Sequence, residues 1–382
     1  MNSCIPRAVW TCIDCGKCTA VCPVARTGLG FSPRSFIQRA VRKNTDSALY
    51  NRALFACLAC DRCRTVCMSG ISFAELTKEL RAAARTRGAL GQPAHSGVLQ
   101  IMMRMMARSD RPQNRLAWLD GSVRTNSKSD VIYFTGCAPY FEPVFGYLAV
   151  QPLRTALNAI RLLNLAGIEP NLLVDERCCG HDLLWQGDIQ NFRLLAERNL
   201  KIVRESGARL VVFSCPECLR TFRLDYRRNF GELGFETAHI TEVLVNRIRP
   251  SALSLQPRAG KTRVTFQDPC RLGLHLGIFD PPRRLLETIP GLELVEMEHN
   301  REQATCCGGT CWIECGPAVK RLQEQRLAEA CATGANRIVT ACPKCDIHLR
   351  CATASIENVP AVQNIVDILA DTICDQGGDL NA

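Results

Sequence analysis

The sequence lacks any segment that could cross a bilayer, because no run approaches about 18 uninterrupted apolar residues. It also lacks a basic start followed by an apolar core, so we expect no secretory leader. No Gly-x-Gly-x-x-Gly follows a predicted strand, so we expect no flavin or nicotinamide bound by this chain. Basic residues are spread along the chain, which argues against nucleic-acid binding. These absences predict a cytoplasmic protein, or one peripheral on the cytoplasmic face of a membrane.

What the sequence does have is cysteine, with 24 in 382 residues. In a long chain without a secretory leader, this abundance favours metal binding over disulfides. The length predicts two or three domains, and 47% apolar residues suffice for buried cores. The formal charge of +10 would fall as anionic metal clusters bind. The remaining surplus suits docking to an acidic redox partner or an anionic substrate.

The first ninety residues contain two runs of four cysteines. The first reads Cys12-Ile-Asp-Cys15-Gly-Lys-Cys18-Thr-Ala-Val-Cys22-Pro23, the C-x2-C-x2-C-x3-C-P spacing of bacterial-type ferredoxins. The second run departs from it in having Met68 where proline is usual. In such runs the first three thiols hold one cubane 4Fe–4S cluster, and the fourth reaches the neighbouring cluster.

This spacing predicts two cubane clusters with crossed ligands. The thiols of the first cubane would be Cys12, Cys15, Cys18 and Cys67. Those of the second would be Cys57, Cys60, Cys63 and Cys22. A pair of structural zinc knuckles is the alternative interpretation.

Helix signals surround these runs. Ser32 can cap a helix that Pro33 begins, and further helices are predicted over 46–57 and 74–87. We therefore predict an all-α two-cluster ferredoxin domain over 1–90, of the helical type found in succinate dehydrogenase iron–sulfur subunits. A helical connection over 91–130 follows. It carries four methionines whose stripe indicates packing, with a docking surface as the alternative.

A second cysteine pattern occurs twice. Its members return at offsets of 133, 128, 128, 127 and 127 residues, so one unit has been duplicated. The first copy contains Cys137, Cys178-Cys179-Gly180 and Cys215-Pro216-Glu217-Cys218. The second contains Cys270, Cys306-Cys307-Gly308 and Cys342-Pro343-Lys344-Cys345. Five thiols are too many for one zinc ion, and soft thiolates suit iron–sulfur clusters.

Strands and helices alternate in both copies. The first copy is predicted to have strands over 131–135, 172–174 and 210–213, and the second over 264–267, 292–297 and 337–340. This order implies parallel strands, with each cysteine group just past a strand's carboxyl end. We predict an α+β chain in which two α/β, Rossmann-like units follow the all-α domain. Their bounds are 131–250 and 263–374, with a linker over 251–262 and a tail over 375–382.

The duplicated pattern is similar to the CCG domains of heterodisulfide reductase. A helical ferredoxin domain followed by two CCG domains resembles the D subunit of that enzyme over nearly the whole chain. Iron–sulfur subunits of glycolate, lactate and glycerol-3-phosphate oxidoreductases, and of benzoyl-CoA reductase complexes, share the layout. The resemblance implies one noncubane 4Fe–4S cluster per CCG domain. The implied ligand sets are Cys137, Cys178, Cys179, Cys215 and Cys218, and Cys270, Cys306, Cys307, Cys342 and Cys345.

Two departures from the family stand in the second copy. Arg271 occupies a position where the family often has histidine, and Cys311 and Cys315 replace a glycine-rich stretch. His181 and His275 are the candidate proton donors, with hydrogen-bonded structural histidines as the alternative. Arg271 would hold an anionic group of the substrate. No role is assigned to the remaining cysteines, Cys4, Cys331, Cys351 and Cys374.

Two functions remain open. In the first, electrons enter the ferredoxin domain and reach noncubane clusters that reduce a disulfide across an open pocket between the CCG units. That pocket would be lined by His181, His275 and Trp312. In the second, the chain is a relay between a flavoprotein dehydrogenase and a quinone, a membrane cytochrome or another reductase subunit. Either function requires a flavoprotein or another redox subunit as partner.

Overall fold

The computed structural model describes residues 6–42, 52–108, 113–247, 262–309, 311–354 and 356–373. The expected tail and the linker, apart from Thr262, lie outside these residues. So do Cys4, Cys374 and the first part of the helix expected over 46–57.

The described part of the N-terminal ninety residues contains helices and no strand. Ser32 caps one helix by accepting a hydrogen bond from Ser35 N at 3.2 Å, and Ser72 caps another by accepting from Glu75 N at 3.2 Å. The α-helices are Lys17–Ala20, Pro33–Val41, Arg62–Thr65 and Phe73–Thr86. Shorter 3-10 turns are Arg7–Thr11, Val24–Thr27 and Arg52–Ala56. The predicted all-helical character of this region is confirmed for the residues described.

The connection contains the turn Ala94–Gly97 and the helix Val98–Met106. Met103 and Met106 are buried, whereas Met105 is exposed. Met102 is partly buried against the same core, so three of the four methionines pack against the rest of the protein, as the first interpretation required.

The first α/β unit is built on a three-stranded parallel sheet in the order β1-β2-β3. Its strands are β1 Val131–Phe134, β2 Leu210–Phe213 and β3 Glu236–His239. Its helices are Ala138–Phe145, Pro152–Leu165, His181–Trp185, Ile189–Glu205, Pro216–Arg220, Arg227–Phe230 and Ile240–Leu244, with a π-helical segment over Thr221–Tyr226. The strand expected over 172–174 is wrong. Only Asn171 bridges to Ile132, after which the chain turns out of the sheet and leaves Val174 exposed.

The second α/β unit has a four-stranded parallel sheet in the order β5-β4-β6-β7. Its strands are β4 Thr262–Gln267, β5 Leu292–Leu294, β6 Arg337–Thr340 and β7 Ala361–Asn364. Its helices are Asp280–Glu287, Pro317–Ala332, Pro343–Thr353 and Ile365–Ala370. The mixture of helices with parallel sheets is thus confirmed. The outer strands β3 and β7 were not predicted.

The N-terminal helical region packs on the second unit. Leu54, Phe55 and Cys57 share one buried cluster with Leu322 and Ile338 of that unit. This contact places the ferredoxin-type cysteines beside the second α/β unit, although the first unit is nearer to them in the sequence.

Arg81 ties the helical region together from within. It is fully buried and donates to the carbonyl oxygens of Leu54, Phe55 and Cys57 at 3.1, 3.1 and 2.7 Å. It also donates to Trp185 O of the first α/β unit at 3.2 Å. One guanidinium therefore satisfies four buried carbonyls from two parts of the chain.

Replacement of Arg81 tests this role. Arg81→Leu should lower the free energy of unfolding by about 3 kcal/mol, because the carbonyls lose charge-assisted donors inside the protein. Arg209→Leu is the control, since its side chain is 84% exposed and pairs only at the surface, and its cost should stay within about 1 kcal/mol. Urea unfolding followed by circular dichroism measures both. Equal losses in the two variants would contradict the assignment.

Candidate metal centres and the interface between them

The five cysteines of the first α/β unit meet at one place. Cys137 Sγ lies 3.3 Å from Cys178 Sγ, too far for a disulfide. Interactions between neighbouring thiols further link Cys178 to Cys179, Cys179 to Cys218 and Cys218 to Cys215. All five line one small cavity at the carboxyl ends of β1 and β2. The sulfurs thus form a continuous chain.

The second unit repeats this chain of sulfurs in the same order. Interactions between neighbouring thiols link Cys270 to Cys306, Cys306 to Cys307, Cys307 to Cys345 and Cys345 to Cys342. No disulfide is present among the described cysteines. Two equivalent sets of five convergent soft donors fit a thiolate-bound iron–sulfur cluster in each unit.

The thiols within each set differ in their pKa. Hydrogen bonds from Cys137 and Cys179 lower the pKa of the Cys178 thiol well below its usual value. In the second set, hydrogen bonds from Cys306 and Cys345 lower the pKa of Cys307 to about 6. Each set therefore already favours one thiolate, the form that binds metals.

The loop that carries Cys178 and Cys179 is clamped through its backbone. Asn199 Nδ2 donates to Cys178 O at 3.1 Å, and the Tyr226 hydroxyl donates to Cys179 O at 2.9 Å. Gly180 has φ of 79°, and a Cβ there would lie 2.9 Å from the Phe192 ring. Only glycine fits both the left-handed backbone and this close contact.

The ferredoxin-type cysteines form two further groups, with the fourth thiols exchanged between the runs. One cavity is lined by Cys12, Cys15, Cys18 and Cys67. The second group, Cys57, Cys60, Cys63 and Cys22, is buried, and its thiols interact electrostatically with one another. Burial, and to a lesser extent the Cys57 thiol, raises the pKa of Cys22 to about 12. The donor sets suit two cubane clusters.

The structure brings His181, His275 and Arg271 together between the two units. Arg271 Nε donates to His181 Nε2 at 2.9 Å, so His181 carries its proton on Nδ1 and donates to Asp182 Oδ1 at 2.9 Å. His275 Nε2 lies 2.8 Å from Arg271 Nη1 and 2.9 Å from Ala59 O. Burial lowers the pKa of both histidines, so both are neutral imidazoles.

Lys344 is the functional candidate that the sequence analysis missed. Its ammonium lies 2.6 Å from Asp182 Oδ1 and 2.6 Å from Glu217 Oε2, both of the first unit. Glu217 and Lys344 occupy the same position of the duplicated Cys-Pro-x-Cys motif, with opposite charge. This difference in charge between the two copies is the sequence signal from which Lys344 could have been predicted. It produces a buried ion pair across the interface.

The pocket expected between the units is present only in part among the residues described. The cavity of the first cysteine set is also lined by Pro343, Lys344 and Asn364 of the second unit, but not by His275, Trp312 or the second cysteine set. Trp312 is 1% exposed and stacks between Phe145 and His348, with ring centroids 5.1 and 4.9 Å away. Arg271 lies over the Trp185 ring at 4.4 Å. These large side chains fill the interface because aromatic and cationic groups stack closely there. His181 alone of the expected lining residues faces the cavity of the first cysteine set.

The two extra cysteines of the second copy lie apart from the sulfur chains. Cys311 is buried, and its Sγ lies 3.7 Å from Arg271 Nη2. It approaches His181 and Asp182 closely enough to share a metal ion, but the neighbouring cations Arg271 and Lys344 disfavour one. Cys315 is exposed.

Comparison with known proteins agrees with this arrangement. The model of the CCG cysteine-rich domain matches residues 131–223 and 264–350, and that of the 4Fe-4S dicluster domain matches residues 8–71. The D subunit of dihydromethanophenazine:CoB–CoM heterodisulfide reductase from Methanosarcina acetivorans is 32% identical over 80% of this chain and 75% of its own length. Its counterpart from Methanosarcina barkeri is 30% identical over 95% of this chain and 93% of its own length.

The chain belongs to the family of heterodisulfide reductase D subunits. It is therefore an iron–sulfur subunit of an oxidoreductase. The EtfAB:quinone oxidoreductase of Syntrophomonas wolfei is also similar to this chain, at 24% identity over 88% of this chain and 54% of its own length. In the described part of the chain, no helix is long and apolar enough to span a membrane.

The glycine after the first cysteine pair gives a test of this geometry. Gly180→Ala should cost about 1 kcal/mol for its positive φ and about 1–3 kcal/mol more for the contact with Phe192. Gly167→Ala is a matched control, because φ is 76° there and no atom lies within 4 Å of the added Cβ. Urea unfolding and the iron content of the first unit measure the effect. Identical behaviour of the two variants would show that the close contact is unimportant.

Proposed function

We propose that this protein carries electrons from the ferredoxin-type cysteines to the two CCG sites and reduces a disulfide at the first of them. The observation that carries this proposal is the pair of five-sulfur chains in two units that we infer to be Rossmann-like. The five-sulfur set of the second unit lies against the helical region, and that of the first unit faces a cavity. Such a division suits a protein that receives electrons on one side and uses them on another.

The proposed cofactors are two cubane and two noncubane 4Fe–4S clusters, without flavin or nicotinamide. The crossed ferredoxin-type groups would hold the cubanes, and each five-sulfur chain would hold a noncubane cluster. When bound, these clusters supply one-electron transfer and, at the CCG sites, iron that can take up a substrate sulfur. A flavoprotein or another redox subunit, with a membrane cytochrome as a further candidate, would be the partner.

The second cysteine set is the nearer of the two to the helical region. Arg62 Nη1 donates to Thr305 Oγ1 at 3.0 Å, and Thr305 directly precedes Cys306. The Cys60 thiol also interacts electrostatically with the Cys270 thiol. These contacts support entry of electrons into the second unit before the first.

The cavity beside the first set has the groups that disulfide reduction needs. Cleavage of a disulfide takes two electrons and two protons and releases two thiols. Lys344, fixed by Asp182 and Glu217, places a positive charge on the cavity wall, where a departing thiolate would be stabilised. His181, oriented by Arg271, holds a proton beside the same wall.

A relay to a quinone or another subunit is the second candidate function. The packed interface around Trp312 favours it, because electron transfer needs close contacts and no substrate space between the units. The name of the Syntrophomonas relative points to a quinone as that protein's acceptor.

Metal analysis tests the cofactors. Anaerobically reconstituted protein should contain about 16 iron atoms per chain. Cys179→Ser and Cys307→Ser should each remove about 4 of them and leave the ferredoxin-type signals unchanged in electron paramagnetic resonance (EPR) spectra, because the ligand sets are separate. Zinc in place of iron, or loss of all signals in a folded variant, would sink the assignment.

Turnover with an organic disulfide separates the two functions. With reduced methyl viologen as donor, Lys344→Met should lower kcat about 100-fold at unchanged iron content, because the leaving thiolate loses its cation. Lys320→Met, at a lysine that contacts Cys351 instead, should retain wild-type rates. A fully loaded protein that reduces a quinone analogue but no disulfide of a broad panel would leave only the relay.

A further inference from the structure

Large apolar side chains are exposed around the first ferredoxin-type cysteine group. Met68 is 74% exposed, Ile13 62% and Trp10 43%. Ile13 and Met68 line the same cavity as the cysteines of that group. We call these three side chains the entry patch. Exposed apolar groups gathered at one place are typical of a surface that another protein covers.

The segments that carry the entry patch are held against each other. Trp10 belongs to the turn Arg7–Thr11, which directly precedes Cys12. Ser69 Oγ donates to Thr11 O at 2.8 Å, which fixes this turn beside Met68. The patch is therefore a continuous feature formed by two distant parts of the chain.

The region of the chain that carries the entry patch is basic. The first 90 residues contain 14 lysines and arginines but 5 aspartates and glutamates, a surplus of nine out of the chain's total of ten. Lys17 Nζ lies 3.7 Å from Met68 Sδ, and no carboxylate among the described residues is within ion-pair distance of it. Almost the whole net charge thus belongs to the region that carries the patch.

We propose that the entry patch is the docking surface for an acidic redox protein that exchanges electrons with the first ferredoxin-type group. The inference rests on the proposed function, since that group must hold a cluster. In each encounter the reduced partner loses one electron and the group gains it. The basic surroundings steer a negatively charged partner, while the apolar side chains form the short, dry contact that electron transfer requires.

Stopped-flow reduction of the reconstituted protein by a reduced acidic ferredoxin tests the proposal. Met68→Glu should lower the second-order rate constant about tenfold at low salt, because it places a charge of the partner's sign at the contact. Lys17→Glu should have a similar effect and should also flatten the fall of the rate with ionic strength. Met68→Leu should keep the wild-type rate.

Val174→Glu is the matched control, because Val174 is 69% exposed and lies in the first α/β unit. It should leave the rate unchanged. Reduction by dithionite should be equal in all variants, which shows that the clusters are intact. Equal rates for Met68→Glu and Val174→Glu, or a rate that does not fall with salt, would overturn the docking surface. A protein that takes up no iron would instead overturn the proposed function.

Discussion

Each CCG unit has to bring five sulfurs into contact from three separate turns, and its architecture follows from that requirement. Parallel strands end at one edge of a sheet, so thiols that follow different strands can meet there although they are some 80 residues apart. Burial makes an isolated thiolate unfavourable, and the hydrogen bonds within the chain offset that cost. The backbone clamps from Asn199 and Tyr226 hold the adjacent pair in position.

Duplication supplied two such sets, and later divergence gave them different surroundings. Glu217 and Lys344 stand at equivalent positions, yet one is an acid and the other a base, so the two copies attract each other at their sulfur-bearing ends. Arg271 adds a second link by contacting His181 of the other unit and Ala59 O of the helical region. The interface is therefore a network of buried charges, which fixes the relative position of the three parts of the chain.

The helical region makes the two sets inequivalent. Its buried cysteine group contacts the second unit, while its other group lies at a surface rich in exposed apolar side chains. The packing therefore arranges the two ferredoxin-type cysteine groups in order from the surface to the interior. The same region carries nearly all of the formal net positive charge, so the proposed docking of a partner and the proposed entry of electrons would belong to one part of the molecule.

The sequence by itself determined the cysteine groups, the duplication, the helical character of the first region and the central strands, because spacing and periodicity are local properties. It failed at 172–174, where apolar residues leave the sheet to reach Cys178, and at the outer strands β3 and β7, whose sequences alternate weakly. Only the tertiary structure decided that Trp312 fills the interface and that Lys344 pairs with Glu217. Those contacts join residues more than 120 positions apart, and their geometry depends on how complete units pack, which no local pattern records.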